Sequence, residues 1–126
     1  MTVATVLVVD DSLSNRDLVR TVLRIRGYRT VEARTGLDAL ALLHGEPVDM
    51  VLADVMMPKM DGYQLLQAIR TDPALWRLPV VFYTAHYESA RLRGLGSQIG
   101  VTHVIPKTGD LDALLDAVQD TLREAC

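Results

Sequence analysis

Val51-Leu52-Ala53-Asp54-Val55-Met56-Met57-Pro58-Lys59-Met60-Asp61-Gly62 decides how this chain folds. Its opening run is rich in Val and Leu, the pattern of a strand buried on both faces of a parallel sheet. The run ends on one carboxylate, Asp54, and within eight residues reaches Pro58 and the turn pair Asp61-Gly62. A charge at the end of a buried strand is costly unless something compensates it. In open parallel sheets that same end of a strand is where ligands bind. The rest of the sequence can be read for what compensates Asp54.

Moving outward, Thr5 to Val9 (TVLVV) is another continuous apolar run, and it stops at Asp10-Asp11-Ser12. An amphipathic helix is predicted from about Ser14 to Arg26, its apolar face made by Leu18, Val19, Val22, Leu23 and Ile25, with Gly27 ending it. Tyr28 to Ala33 reads as a strand. Thr35 can cap a helix to about His44, with Asp38 placed as in a capping box. Beyond the Asp54 strand, a helix is expected from about Tyr63 to Arg70, then a strand from Pro79 to Tyr83 that ends at Thr84. A weaker helix covers about Glu88 to Ile99, since Gly94 and Gly96 each cost about 1 kcal/mol relative to Ala. His103 to Ile105 is a short last strand closed by Pro106-Lys107. The final helix, from about Asp110 to Ala125, carries Leu111, Leu114, Leu115, Val118 and Leu122 at helical spacing.

Five strands alternating with five helices predict an α/β fold, a doubly wound parallel sheet with helices on both faces. The 126 residues form one expected domain over 1–126, its compact unit running from Val3 to about Ala125. A chain of this length buries roughly two-thirds of its unfolded surface. With 49% apolar residues but one Trp and one Phe, the core must be mostly Val, Leu, Ile and Ala. A net charge of -3 is unlike that of most nucleic-acid-binding modules, which are basic. The single cysteine, Cys126, excludes a disulfide framework and fits a reducing compartment. There is no apolar run of about 18 residues and no signal-peptide pattern, so the expected location is the cytoplasm.

With the strands parallel, Asp10-Asp11, Asp54, Thr84 and Lys107 all fall at carboxyl ends. The strand ending at Glu32-Ala33 is expected at the sheet margin. Two carboxylates about 4 Å apart repel by roughly 4 kcal/mol at an effective dielectric near 20. Lys107 cancels one of the three charges, and a divalent cation would remove the remainder. An all-oxygen site suits Mg²⁺ or Mn²⁺ rather than Zn²⁺. Asp11 and Asp54 are the expected direct ligands, Asp10 a ligand through water, and the Met56 carbonyl a further oxygen. Beside a cation and an ammonium, Asp54 suits nucleophilic attack on phosphorus, with Thr84 offering a hydroxyl at the same edge.

Asp10-Asp11, the run from Asp54 through Pro58 to Asp61-Gly62, Thr84-Ala85 and Lys107 together resemble the receiver domain of two-component response regulators. The resemblance spans essentially the whole chain. It implies a flavodoxin-like sheet of order 2-1-3-4-5. It also implies Mg²⁺-dependent phosphorylation of Asp54 by a histidine kinase or histidine phosphotransfer protein. Phosphorylation would then shift the surface around the fourth helix, fifth strand and fifth helix toward an output partner or fused effector. No direct contact of this domain with nucleic acid and no membrane span are expected.

The chain departs from the family at two places. The aromatic residue usual three positions before the lysine is Val104 here, with His103 as the rival alignment. A switch through the Gly94-Gly96 region is the expectation in its place. The proline usual after the lysine is Thr108, which predicts a trans Lys107-Thr108 bond, because cis before a non-proline costs about 2.5–4 kcal/mol. Arg16, Arg20 and Arg24 form a column at i, i+4, i+8 on the first helix, and Asp112, Asp116 and Asp120 form an acidic one on the last. Mutual neutralisation between those helices is one expectation, and docking of an acidic partner on the arginines the other. Two rival activities are weaker. A haloacid-dehalogenase-like phosphatase would need an acid where Met56 stands, and a flavodoxin would need a Ser/Thr/Gly-rich loop in place of Asp10-Asp11-Ser12. A receiver-like scaffold that no longer responds to phosphate is the fourth reading.

Overall fold

The computed structural model describes residues 3–96, 100–107 and 110–125. Its elements run β1 (Thr5–Val9), α1 (Leu13–Ile25), β2 (Arg29–Ala33), α2 (Gly36–Gly45), β3 (Met50–Ala53), α3 (Gly62–Thr71), β4 (Val80–Thr84), α4 (Tyr87–Gly96), β5 (His103–Pro106) and α5 (Leu111–Glu124). All strand pairs are parallel, in the order β2-β1-β3-β4-β5. The five-stranded parallel sheet is the one expected from the alternation of runs, and its flavodoxin-like order is the one that the resemblance implied. The edge positions of β2 and β5 also agree.

The continuous apolar runs have a direct physical cause. β1, β3 and β4 are buried at every position, so both faces of each strand need apolar side chains. Leu7, Val9, Val51, Ala53, Val80 and Phe82 face one layer, completed by Ala39 and Leu43 of α2, Leu66 and Ile69 of α3 and Ala90 of α4. Val6, Val8, Met50, Leu52, Val81 and Tyr83 face the other, completed by Val19 and Leu23 of α1 and Leu114, Leu115 and Val118 of α5. Pro106 is accommodated because β5 has a partner on one side only.

Element ends differ from the sequence expectations by a residue or two, except at the tail of α4. Its expected continuation to Ile99 lies outside the described residues, as do Cys126 and the Lys107-Thr108 bond. Helix starts follow side-chain caps: Ser12 accepts from Asn15 N–H at α1 and Asp110 from Ala113 N–H at α5. The expected capping box at Thr35 is half made, for Thr35 accepts from Asp38 N–H without a return bond among the described residues. The reciprocal box is at α3. There the Asp61 side chain accepts from Gln64 N–H, and the Gln64 side chain accepts from Asp61 N–H, each at 2.9 Å.

What positions the candidate site is the way the ladders overrun the strands. Past β1, Asp10 N–H donates to Ala33 O of β2 at 3.2 Å. Past β3, Asp54 N–H donates to Val9 O at 2.9 Å, and past β5, Lys107 N–H donates to Thr84 O at 2.9 Å. Three main-chain bonds thus carry Asp10, Asp54 and Lys107 one residue beyond the sheet, at its carboxyl edge.

Candidate functional site

The sheet brings Asp10, Asp11, Asp54 and Lys107 together. Lys107 Nζ donates to Asp10 Oδ2 at 2.8 Å and to Asp54 Oδ2 at 3.0 Å, so one ammonium bridges two carboxylates. Their other oxygens are also engaged. Asp10 Oδ1 accepts from Ser12 N–H at 2.9 Å and Asp54 Oδ1 from Met56 N–H at 3.2 Å. Asp10 is buried and Asp54 half-buried, while Asp11 is exposed at the mouth. The Lys107 pKa is raised: burial alone would lower it, and hydrogen bonds and charge from Asp10 and Asp54 together outweigh that.

Asp10, Asp11 and Asp54 can each present a carboxylate oxygen with all three atoms within 4.8 Å of one another. Opposite ligands of an octahedral Mg²⁺ are about 4.2 Å apart, twice a bond length of about 2.1 Å. The cluster is therefore compatible with a small divalent cation. Counting three carboxylates against one ammonium leaves the balance of two negative charges that such an ion would cancel.

Thr84 is fully buried at the end of β4. Its Oγ1 accepts from His86 N–H at 3.0 Å and its carbonyl holds Lys107 N–H. Among the described residues no hydrogen bond joins its hydroxyl to the acids or to Lys107. Met56 is exposed and is tied to Asp54 by its own N–H. The turn between β3 and α3 is tightly built: Met60 N–H donates to Pro58 O at 2.8 Å, and Lys59 between them has φ +68°. Gly62 N–H then donates to Val55 O at 2.8 Å. A Cβ on Gly62 would lie 2.8 Å from both Asp54 O and Val55 Cα, so only glycine lets α3 start there.

Among the described residues the arginine column of α1 does not neutralise the acidic column of α5, which was one of the two expectations for it. Arg16 is buried, donating to Asp10 O at 2.7 Å and through Nε to Glu32 Oε1 at 3.3 Å. Arg20 pairs with Glu32 at 3.0 Å and with Asp17 at 2.8 Å, and Arg24 donates to Thr30 Oγ1 at 2.9 Å. The column turns to β2, with no ion pair to Asp112, Asp116 or Asp120 among the described residues. Arg16 also lies on the buried stripe with Val19 and Leu23, at i, i+3 and i+7, a spacing that could have revealed its inward direction. Two more neighbours of the site, Glu32 and Tyr83, escaped notice because each reads as an ordinary strand residue.

No helix among the described residues is long and apolar enough to cross a membrane. The sequence profile of the response regulator receiver domain matches residues 6–119. The chain is 36% identical over 123 residues to the transcriptional regulatory protein GlrR of Escherichia coli strain K12, covering 97% of this chain and 27% of that protein. It is 31% identical over 122 residues to the response regulator GtcR of Aneurinibacillus migulanus, covering 96% of this chain and 48% of that protein. It thus spans half or less of the length of these curated relatives. Among solved structures, the chemotaxis response regulator CheY4 of Vibrio cholerae superposes with a TM-score of 0.86 at 30% identity, covering 95% of this chain and 99% of that one. A response regulator receiver protein from Pseudomonas putida gives 0.86 at 26% identity, covering 95% and 98%.

Proposed function

Because the chain belongs to the response regulator receiver domain family, we propose that it is a phosphoacceptor whose nucleophile is Asp54. The observation that carries this reading is the single ammonium of Lys107 shared between Asp10 and Asp54, with Asp11 close enough to complete an oxygen cluster. The donor is a phosphohistidine on a histidine kinase or histidine phosphotransfer protein. An Asp54 carboxylate oxygen forms the new P–O bond as the donor P–N bond breaks, and the departing imidazole takes up a proton. Lys107 offsets charge on the phosphoryl oxygens, and the Thr84 hydroxyl donates to one of them. Asp10, Asp11 and Asp54, with the Met56 carbonyl, would hold Mg²⁺, or Mn²⁺ in its place. When bound, that ion supplies further positive charge at the transferring group.

The product is the chain's own aspartyl phosphate, so residues 1–126 act as one receiver domain with no turnover of an external substrate. We place it in the cytoplasm, where such donors reside, with output passing to a separate partner or a fused effector. The test is incubation with acetyl phosphate, with and without Mg²⁺, followed by intact-mass measurement. Wild type gains one phosphoryl group only with Mg²⁺, and Asp54→Asn gains none. A phosphoryl group on Asp54→Asn would overturn the assignment.

A further inference from the structure

We propose that Tyr83 is a positioning residue for phosphoryl transfer at Asp54, its ring face steering the Lys107 ammonium toward the acids; this rests on the function proposed above. Tyr83 is the penultimate residue of β4, is 7% exposed, and belongs to the layer built with α1 and α5. Lys107 Nζ lies over its ring, 5.7 Å from the centroid. That is inside the range of about 6 Å over which a ring quadrupole attracts a cation.

Lys107 needs such a contact for a physical reason. Its main chain is fixed by the bond to Thr84 O, but four flexible carbons separate that anchor from the ammonium. The two hydrogen bonds that hold the ammonium both go to carboxylates. Those are the groups whose charge is altered when a cation binds or Asp54 becomes esterified. The ring of Tyr83 keeps its quadrupole through both events. Burial, reinforced by Asp10 and opposed by Lys107, also raises its phenol pKa, which keeps the ring neutral. An aliphatic side chain would fill the same core space, as the Val and Ile neighbours do, but would present no attractive face to an ammonium.

The experiment uses the full chain with saturating Mg²⁺ and acetyl phosphate as donor, measuring the maximal phosphorylation rate and the half-saturating donor concentration for wild type, Tyr83→Phe and Tyr83→Leu. Tyr83→Phe keeps the ring and stays within about twofold of wild type. Tyr83→Leu loses about three- to tenfold in maximal rate, with little change in half-saturating donor concentration. Tyr83→Met, unbranched and adaptable, replaces Tyr83→Leu if that variant does not fold. Wild-type rates in the ringless variants overturn the proposal, and so does a Tyr83→Phe rate as low as theirs, which would point to the hydroxyl. A wild-type chain that accepts no phosphoryl group removes the functional reading itself, whereas normal wild-type transfer with silent Tyr83 variants removes this inference alone.

Discussion

Asp10 and Lys107 are 97 residues apart in the chain and 2.8 Å apart in space. The bond ties the turn after β1 to the end of an edge strand, across the mouth of the acidic cluster. Lys107→Met would leave Asp10 and Asp54 facing each other with no cation between them. Loss of a largely buried charge-assisted pair costs about 2–4 kcal/mol. Urea unfolding should show that loss in metal-free buffer, with part recovered in millimolar Mg²⁺. Equal stability of variant and wild type would contradict the geometry.

The shared ammonium also sets an alkaline limit. A lysine whose folded-state pKa is raised contributes stability that is fully present below the unfolded value, near 10.5, and is lost as pH climbs through the folded value. Tyr83 acts in the same sense, because its buried phenol resists an ionisation that the unfolded chain undergoes freely. Thermal unfolding of the metal-free chain should therefore fall steeply above about pH 10. Lys107→Met should show a shallower alkaline decline. A wild-type profile as shallow as the variant's would exclude the linkage.

Arg16 supports the acidic turn from beneath. Arg16→Ala would strand the Asp10 carbonyl and leave Glu32 with Arg20 alone, at a cost of about 2–3 kcal/mol. Arg16→Lys keeps the charge but cannot reproduce a fork that reaches a carbonyl and a carboxylate together, so it should recover only part of the loss. Calorimetric titration should also show weaker Mg²⁺ binding in both variants. Unchanged binding would separate Arg16 from the site.

Arg70 clamps the other margin of the sheet. Its guanidinium reaches Gly100 O at 2.6 Å, Leu78 O at 2.6 Å and Trp76 O at 3.2 Å. Burial lowers its pKa. Arg70→Met should cost about 1–3 kcal/mol. It should also speed amide exchange at Thr102, whose N–H donates to Val80 O at 2.8 Å. Exchange at wild-type rates would mean that the segment entering β5 holds without the clamp.

The sheet was legible because burial on both faces leaves no polar residue inside β1, β3 or β4 apart from threonines at strand ends, so each carboxylate marks a stop. Asp10, Asp11 and Asp54 followed from that punctuation, and Lys107 from its place at the end of the short last strand. One expectation for the arginine column failed because period-four spacing describes the helix surface and says nothing of what lies beneath it. Glu32 sits on β2, a strand whose position at the margin was expected but whose neighbour across α1 was not. The box at Asp61 and Gln64 was missed for a different reason. Asp61 with Gly62 was read as a turn and helix start, which holds, but nothing there pointed to the return bond with the Gln64 side chain. Tyr83 gave no sign at all, since an aromatic residue in a buried strand is ordinary until a cation is found over it.

The crowding at Gly62 constrains how this chain can diverge. Alanine there would press a methyl group against the main chain of Asp54 and Val55, and backbone has nowhere to retreat without dragging Asp54 along. Exposed neighbours such as Met56 meet no such barrier. A saturation library selected for phosphate acceptance should then return diverse residues at position 56 and glycine alone at position 62.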